Sequence, residues 1–353
     1  MSGLLGFTPL RAMAAPPAQK VVVVTFGGGA RDEETFAIEG QQYIPHLLQE
    51  LIPQSTFFTQ VVNRGILGHY VATASLATGA YETFNNFAPV APHNPTIFEY
   101  FRRDLRRPAR DAWVIAPSNG FNRIGQSDNK LYGSGLGAYV VLPKQLLNTA
   151  LGGKSGNYEF LLRDNYESPV EIPLSSNQVD LHELAGLMQL SVTDFLAHAK
   201  TLSSPDELSI YIARRVMEQL APSLLWITLH DIDIAHSGAF SLYTDAIRRS
   251  DRLCANLWTA IQNNPEYKGR TSMFILPDFG RDADSDAGGN GFQHHRTGDP
   301  LSRTTWMMAM GPGIRENVTV DRAVESIDLV PTLGAILKCN TRFAAGRPLP
   351  EVL

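Results

Sequence analysis

Lys20 to Phe26 reads Lys-Val-Val-Val-Val-Thr-Phe, and the run is closed by Gly27-Gly28-Gly29. Four consecutive valines with no polar alternation describe a strand buried on both faces, the kind found in a parallel sheet covered by helices on either side. The rest of the chain supplies the partners. Thr56–Val62, Ala112–Ala116, Leu224–Leu229, Ser272–Leu276 and Thr304–Met310 read as further strands. Between them, Ile44–Leu51, His69–Leu76, Ile97–Leu105, Leu181–Ala199, Pro205–Leu220 (with Ser204 as N-cap), Phe240–Gln262 and Ser326–Lys338 carry helical patterns. This alternation predicts an α/β fold with a mainly parallel sheet and helices on both faces.

The chain has 353 residues, 44% of them hydrophobic, enough for a large core. It shows no internal repeat and no long linker, so residues 20–353 are read as one domain. Residues 117–180 are rich in Gly, Asn, Ser and Tyr and read as a loop-rich insertion. Residues 1–19 fall outside the core pattern. Ala12-Met13-Ala14 has the small-x-small form of a signal-peptidase site without a charged n-region, so export to the periplasm or secretion stands beside an ordinary terminal tail and a cytoplasmic location. No stretch reaches the ~18 apolar residues that span a bilayer.

A net charge of −5 excludes the basic surplus that nucleic-acid binding needs. Cys254 and Cys339 form no CxxC pair, which excludes a cysteine zinc site. Oligomeric state is not readable from the sequence.

In an open α/β sheet, chemistry gathers past the C-terminal ends of strands. After Leu229 comes His230-Asp231-Ile232-Asp233-Ile234-Ala235-His236, a dense set of carboxylates and imidazoles of the kind Zn²⁺ and Mn²⁺ accept. After Leu276 comes Pro277-Asp278-Phe279-Gly280-Arg281, then the alternating Asp282, Asp284 and Asp286 before a glycine run. That alternation gives a calcium loop as one reading and a solvated loop as the other, since the Glu and flanking helices of an EF-hand are not evident. The pair His294-His295 stands before the strand Thr304–Met310. Arg31 and Arg281 are candidates to grip an anionic oxygen bidentately, with structural salt bridges as the competing reading. Gly27-Gly28-Gly29 suggests a phosphate cradle.

The order strand–Asp-x-x-His, strand–Asp, then His before a strand ending Gly311-Pro312-Gly313 resembles alkaline phosphatases, sulfatases and cofactor-independent phosphoglycerate mutases. Further along the chain, Thr78-Gly79-Ala80-Tyr81-Glu82, Pro95-Thr96-Ile97-Phe98-Glu99, Asp328-Leu329-Val330-Pro331-Thr332-Leu333 and Gly346-Arg347-Pro348-Leu349 are similar to signatures of the same superfamily. Gly27-Gly28 and Asp278-Phe279-Gly280-Arg281 also resemble an uncharacterised, typically exported, sulfatase-related bacterial family. The resemblance implies an alkaline-phosphatase-like fold and a divalent metal site, Zn or Mn first and Ca as a further option. The metal-ligand candidates are Asp231, Asp233, His236, Asp278, His294 and His295, with the choice inside Asp231/Asp233 and His294/His295 open. Arg31, His69 and Arg281 are the substrate-binding candidates, and the implied substrate is a small anionic phosphate or sulfate ester.

The chain departs from that pattern in one region. Catalytic members use a carboxylate after the first strand, a Ser, Thr or modified Cys nucleophile, and a His after the second-strand Asp. Here Phe26, Gly65 and Phe279 stand in those places. The expectation is therefore a reduced, single-ion hydrolase, or else a non-catalytic binding protein. No catalytic nucleophile is assigned, although Thr73 and Ser75 are fallback hydroxyls.

Overall fold

The computed structural model describes residues 19–88, 90–132, 135–154, 156–162 and 179–353. Its centre is β1 (Lys20–Thr25), buried over its whole length. Val21 and Val23 pack into one hydrophobic core and Val22 and Val24 into another, so successive valines serve opposite faces of the sheet. Each buried valine contributes about 1.5–3 kcal/mol.

The other strands are β2 (Thr56–Val62), β3 (Ala112–Ile115), β4 (Tyr139–Val141), β5 (Leu224–Thr228), β6 (Thr271–Leu276), β7 (Thr304–Met310) and β8 (Val318–Glu325). They form one sheet in the order β4-β3-β5-β1-β6-β7-β2-β8. The strand β1 lies parallel to β5 and β6, with Val23 opposite Trp226 and Phe274. Only β7 runs against the others, antiparallel to both β6 and β2. The sheet is thus mainly parallel, as the valine run requires.

Helices α1 (His69–Thr78) and α2 (Ile97–Asp104) sit on the Val21/Val23 face. On the Val22/Val24 face lie α3 (Pro143–Ala150), α4 (Glu159–Leu162), α5 (Leu181–Met188), α6 (Val192–Ala199), α7 (Pro205–Leu220) and α8 (Phe240–Asn263). Two single turns, α9 (Asp284–Ala287) and α10 (Pro300–Arg303), flank the loop before β7, and α11 (Leu329–Leu337) returns to the α1/α2 face. Among the described residues, no helix is long and apolar enough to cross a membrane.

Four expectations change, the first being the helical pattern over 181–199, which divides into α5 and α6 at the left-handed Gln189. The segment expected as a helix at 44–51 is a π-helical turn, Leu47–Leu51, running into a 3₁₀ turn, Ile52–Gln54, because Pro53 ends regular helix there. The stretch 117–180 is not only loops, since it supplies the edge strand β4 and the helix α3; residues 163–178 of it, like Ala12-Met13-Ala14, lie outside the described residues. The strand β8 escaped sequence reading because it carries Asp321 and Arg322 on an exposed edge.

The direction of the strands places the chemistry. β1, β5, β6 and β2 all end at the same edge of the sheet, and antiparallel β7 begins there. The segments 27–31, 230–238, 278–284, 63–69 and 291–299 therefore meet at one end. A capping box starts α2: Glu99, fully buried, accepts from Thr96 N (2.7 Å) and from Ser127 N (3.1 Å) and Oγ (2.8 Å), tying α2 to the segment that follows the Asn119–Gly125 turn. Replacing Glu99 by Ala strands these buried donors. The expected loss is about 2–4 kcal/mol in a denaturant titration, with an unchanged m-value.

Candidate metal centre

Asp233 is the hub. It lies in the 3₁₀ segment Asp231–Ser237 after β5 and is 4% exposed. Its Oδ1 receives His69 Nε2 at 2.9 Å, Arg281 Nη2 at 2.8 Å and His236 Nε2 at 3.2 Å. Its Oδ2 lies 3.6 Å from His230 Nε2. His69 opens α1 and donates its other nitrogen, Nδ1, to Asp278 Oδ2 at 2.6 Å. His236 and His295 face each other, Nε2 to Nε2, at 2.9 Å. His295 also donates from Nδ1 to the carbonyl of Leu67 at 2.9 Å, which fixes its tautomer and leaves the Nε2 lone pair aimed into the cluster.

His69, Asp233, His236 and His295 each offer one ligand atom, all within 4.8 Å of one another. A tetrahedral zinc site with bonds of 2.0–2.1 Å separates neighbouring donors by about 3.3 Å. Three of the six donor pairs, 2.9–3.2 Å apart, are close to that value, and the others lie within 4.8 Å. The donor set of three imidazoles and a carboxylate fits a divalent ion such as Zn²⁺.

The electrostatics divide the imidazoles. Burial by itself lowers His69, but the charges of Asp233 and Asp278 and its hydrogen bonds to both outweigh this and raise it to about 9. Burial likewise pushes Asp233 up, and the positive His69 with the His236 and His69 hydrogen bonds reverses it to well below the carboxylate range. Burial and the neighbouring charges of His69 and Arg281 hold His295 at about 2. Burial, with help from His69, holds His230 at about 4. His295 is thus neutral, the state a metal ligand requires.

The structure brings together Asp233, His236 and His295 with His69, while Asp278 touches the group through His69. Asp231 is outside it. Its carboxylate pairs with Arg249 at 3.2 Å and its backbone N–H donates to Asp206 Oδ2 at 2.9 Å. His294 is exposed and contributes a carbonyl, which accepts from Asp282 N. Arg31 is paired to Glu34, Nε to Oε2 at 2.8 Å, and to Asp284 at 2.6 Å, so its guanidinium is already committed. Arg281 is fully buried and bound to Asp233 and to the carbonyls of Gly28 and Gly29. The glycine run is thereby a guanidinium clasp, which replaces the phosphate-cradle reading. In the alternating run, Asp282 is held by Arg296 and Ser302 and Asp284 by Arg31, two separate ion pairs that do not form an oxygen cage.

Among the described residues, the expected nucleophile position and the fallback hydroxyl of Ser75 are closed, and the Thr73 hydroxyl is buried without a hydrogen-bond partner. A Cβ at Gly65 would come within 2.8 Å of the Tyr81 ring, so that position has no room for a hydroxyl side chain. Ser75 Oγ donates back to Val71 O at 2.9 Å, and Thr73 is buried inside α1. Phe279 stacks on His69 with ring centroids 4.6 Å apart. His230 was missed as a neighbour of the site, although its place just past β5 was the signal that singled out the residues after it.

No protein-family model matches the sequence, and no protein of curated function matches it. Solved structures do match its fold. A protein in the alkaline phosphatase superfamily from Vibrio parahaemolyticus is similar with a TM-score of 0.58 and 13% identity, over 96% of this chain and 71% of that one. The alkaline phosphatase PafA gives 0.56 at 12% identity over 96% and 99%. The phosphonate monoester hydrolase SpPMH from Silicibacter pomeroyi gives 0.56 at 12% over 95% and 76%. The fold is that of the alkaline phosphatase superfamily. On that fold the chain carries a His/Asp cluster able to hold a metal.

The raised His69 sets a pH dependence for metal-free protein. Its stabilisation is complete below the unfolded value of 6.5 and is lost as pH rises through about 9. Over that window folded His230 and His295 are neutral, and the protons their unfolded forms still carry near pH 6.5 are common to wild type and a His69 variant. Lys20, lowered to about 8 chiefly by burial, acts in the opposite sense, so a His69→Gln reference is needed to cancel it. The Tm difference between wild type and His69→Gln, measured in chelator, should shrink between pH 6.5 and 9.5. A constant difference would mean that His69 holds no proton there.

Proposed function

We propose that this chain is a metal-dependent hydrolase of phosphate or sulfate esters that works at a single-ion site. The observation that carries this reading is the convergence of His69, Asp233, His236 and His295 at the sheet edge, with His295 fixed as a neutral donor by Leu67. Asp233, His236 and His295 would hold the ion, and His69 is either a fourth donor or stays bridged between the two carboxylates. In that bridged state three protein ligands remain, the number typical of catalytic zinc sites. A bound divalent ion supplies Lewis acidity toward an ester oxygen and lowers the pKa of water toward neutrality, so attack without a side-chain nucleophile is chemically accessible. Asp278 orients His69, and the Phe279 ring shields that pair from water on one side. The substrate is a small anionic ester, and the small-x-small run Ala12-Met13-Ala14 supports a periplasmic or secreted location over a cytoplasmic one.

A second reading has its own observation. The closed position at Gly65 favours a protein that keeps the ion and binds a ligand without turnover.

Elemental analysis should find about one equivalent of Zn²⁺ or Mn²⁺ per chain. Asp233→Ala and His236→Ala should weaken metal binding by more than about 100-fold, since even outer-shell partners are worth 10–100-fold. Asp231→Ala, which alters an ion pair with Arg249 outside the cluster, should leave the metal in place. Ester turnover that vanishes with the metal supports the hydrolase. Metal retained without turnover across a broad ester panel supports the binding protein, and equal turnover in metal-free protein contradicts both.

A further inference from the structure

The resemblance to catalytic alkaline phosphatases and sulfatases implies two ions, the second served by the carboxylate after the first strand and the His after the second-strand Asp, and the residues present do not fit that second ion. Among the described residues, a single group of three or more His, Cys, Asp or Glu side chains converges. Asp278, the remaining carboxylate of the region, is taken by His69, and Phe26 and Phe279 beside it are apolar and fully buried. What the structure holds in this region is Arg281. Its side chain is 0% exposed. Nε donates to Gly29 O at 2.9 Å, and Nη2 donates to Gly28 O and to Asp233 Oδ1, the latter at 2.8 Å.

The receiving loop is shaped for this guanidinium. Gly28 and Gly29 have φ of +99° and +71°, a region L side chains rarely adopt. A Cβ on Gly28 would lie 2.5 Å from Asp233 N, and one on Gly29 would lie 2.9 Å from Gly280 O and 3.3 Å from Arg281 Cγ. Glycine at both positions therefore lets β1, the Asp233 turn and the Arg281 loop close on one another. The Tyr243 ring stands 5.9 Å from the guanidinium carbon.

We infer that Arg281 is a built-in cation of this centre: a positioning residue that ties one oxygen of Asp233 and supplies the charge a second ion would carry, limiting the site to one divalent ion per chain. One divalent ion together with this guanidinium already outweighs the Asp233 and Asp278 carboxylates, and a second ion would add uncompensated charge in a buried pocket. Lysine conserves the charge. Alanine removes it and frees the carbonyl oxygens of Gly28 and Gly29 beside Asp233 Oδ1, which the first site shares, an oxygen set that Mn²⁺ accepts.

The inference rests on the metal reading above, and a Mn²⁺ count separates the two. Metal-free protein is titrated with Mn²⁺, desalted and counted by elemental analysis, with electron paramagnetic resonance reporting coupling between paired ions. Wild type and Arg281→Lys should saturate at one ion, and Arg281→Ala should take up a second with a coupled signal. One ion in a folded Arg281→Ala overturns the role of Arg281 and leaves the single-ion reading standing, whereas two ions in wild type overturns that role and the single-ion limit together. No ion in wild type overturns both. If thermal melts show that Arg281→Ala does not fold, the wild-type count decides, with one ion in support and two against.

Discussion

The centre depends on how one buried carboxylate is neutralised. Asp233 has almost no solvent, and a bare carboxylate in such a place costs several kcal/mol. Its Oδ1 alone meets His69, His236 and Arg281, which reach it from three separate stretches of chain. Each of those stretches is held at the sheet edge by a strand or a clasp: β2 leads to His69, β5 to His236, and β6 to Arg281. The mainly parallel sheet matters because it delivers these termini to one edge, and the reversed β7 lets His295 enter from the opposite direction.

That arrangement also explains what the site lacks. With a Tyr81 ring against Gly65 and a Phe279 ring against His69, space that a hydroxyl and an imidazole would occupy is filled by aromatic carbon. The substitutions agree with one another under the single-ion proposal, in which a nucleophile or a ligand poised at a second ion would have no use. The positive charge remains, carried by side chains.

Much of the fold was legible in the sequence. The valine run identified a strand buried on both faces, and the helical pattern Ile97–Leu105 is realised as α2, which opens on a capping box between Thr96 and Glu99. What stayed hidden needed tertiary information. The pattern Thr304–Met310 gives a buried strand but not its direction, and Val318–Glu325 is half exposed and carries charges at an edge. Within the site, the density of Asp and His after β5 was visible, whereas the choice between Asp231 and Asp233 was not. It is made by a 3₁₀ turn that sends one carboxylate toward Arg249 and the other toward His69. His294 and His295 are likewise equivalent in sequence and are separated by the Leu67 carbonyl, which receives only the second. The glycines after β1 invited a phosphate, and only the packed structure shows them clasping Arg281.

The most direct test of the account is X-ray absorption spectroscopy at the zinc edge of zinc-loaded wild-type protein. The account predicts a first shell of nitrogen and oxygen at about 2.0–2.1 Å, with the outer-shell scattering of two or three imidazoles and no metal–metal vector. A shell of oxygens alone, lacking imidazole scattering, would contradict the assignment of His236 and His295 and with it the centre described here.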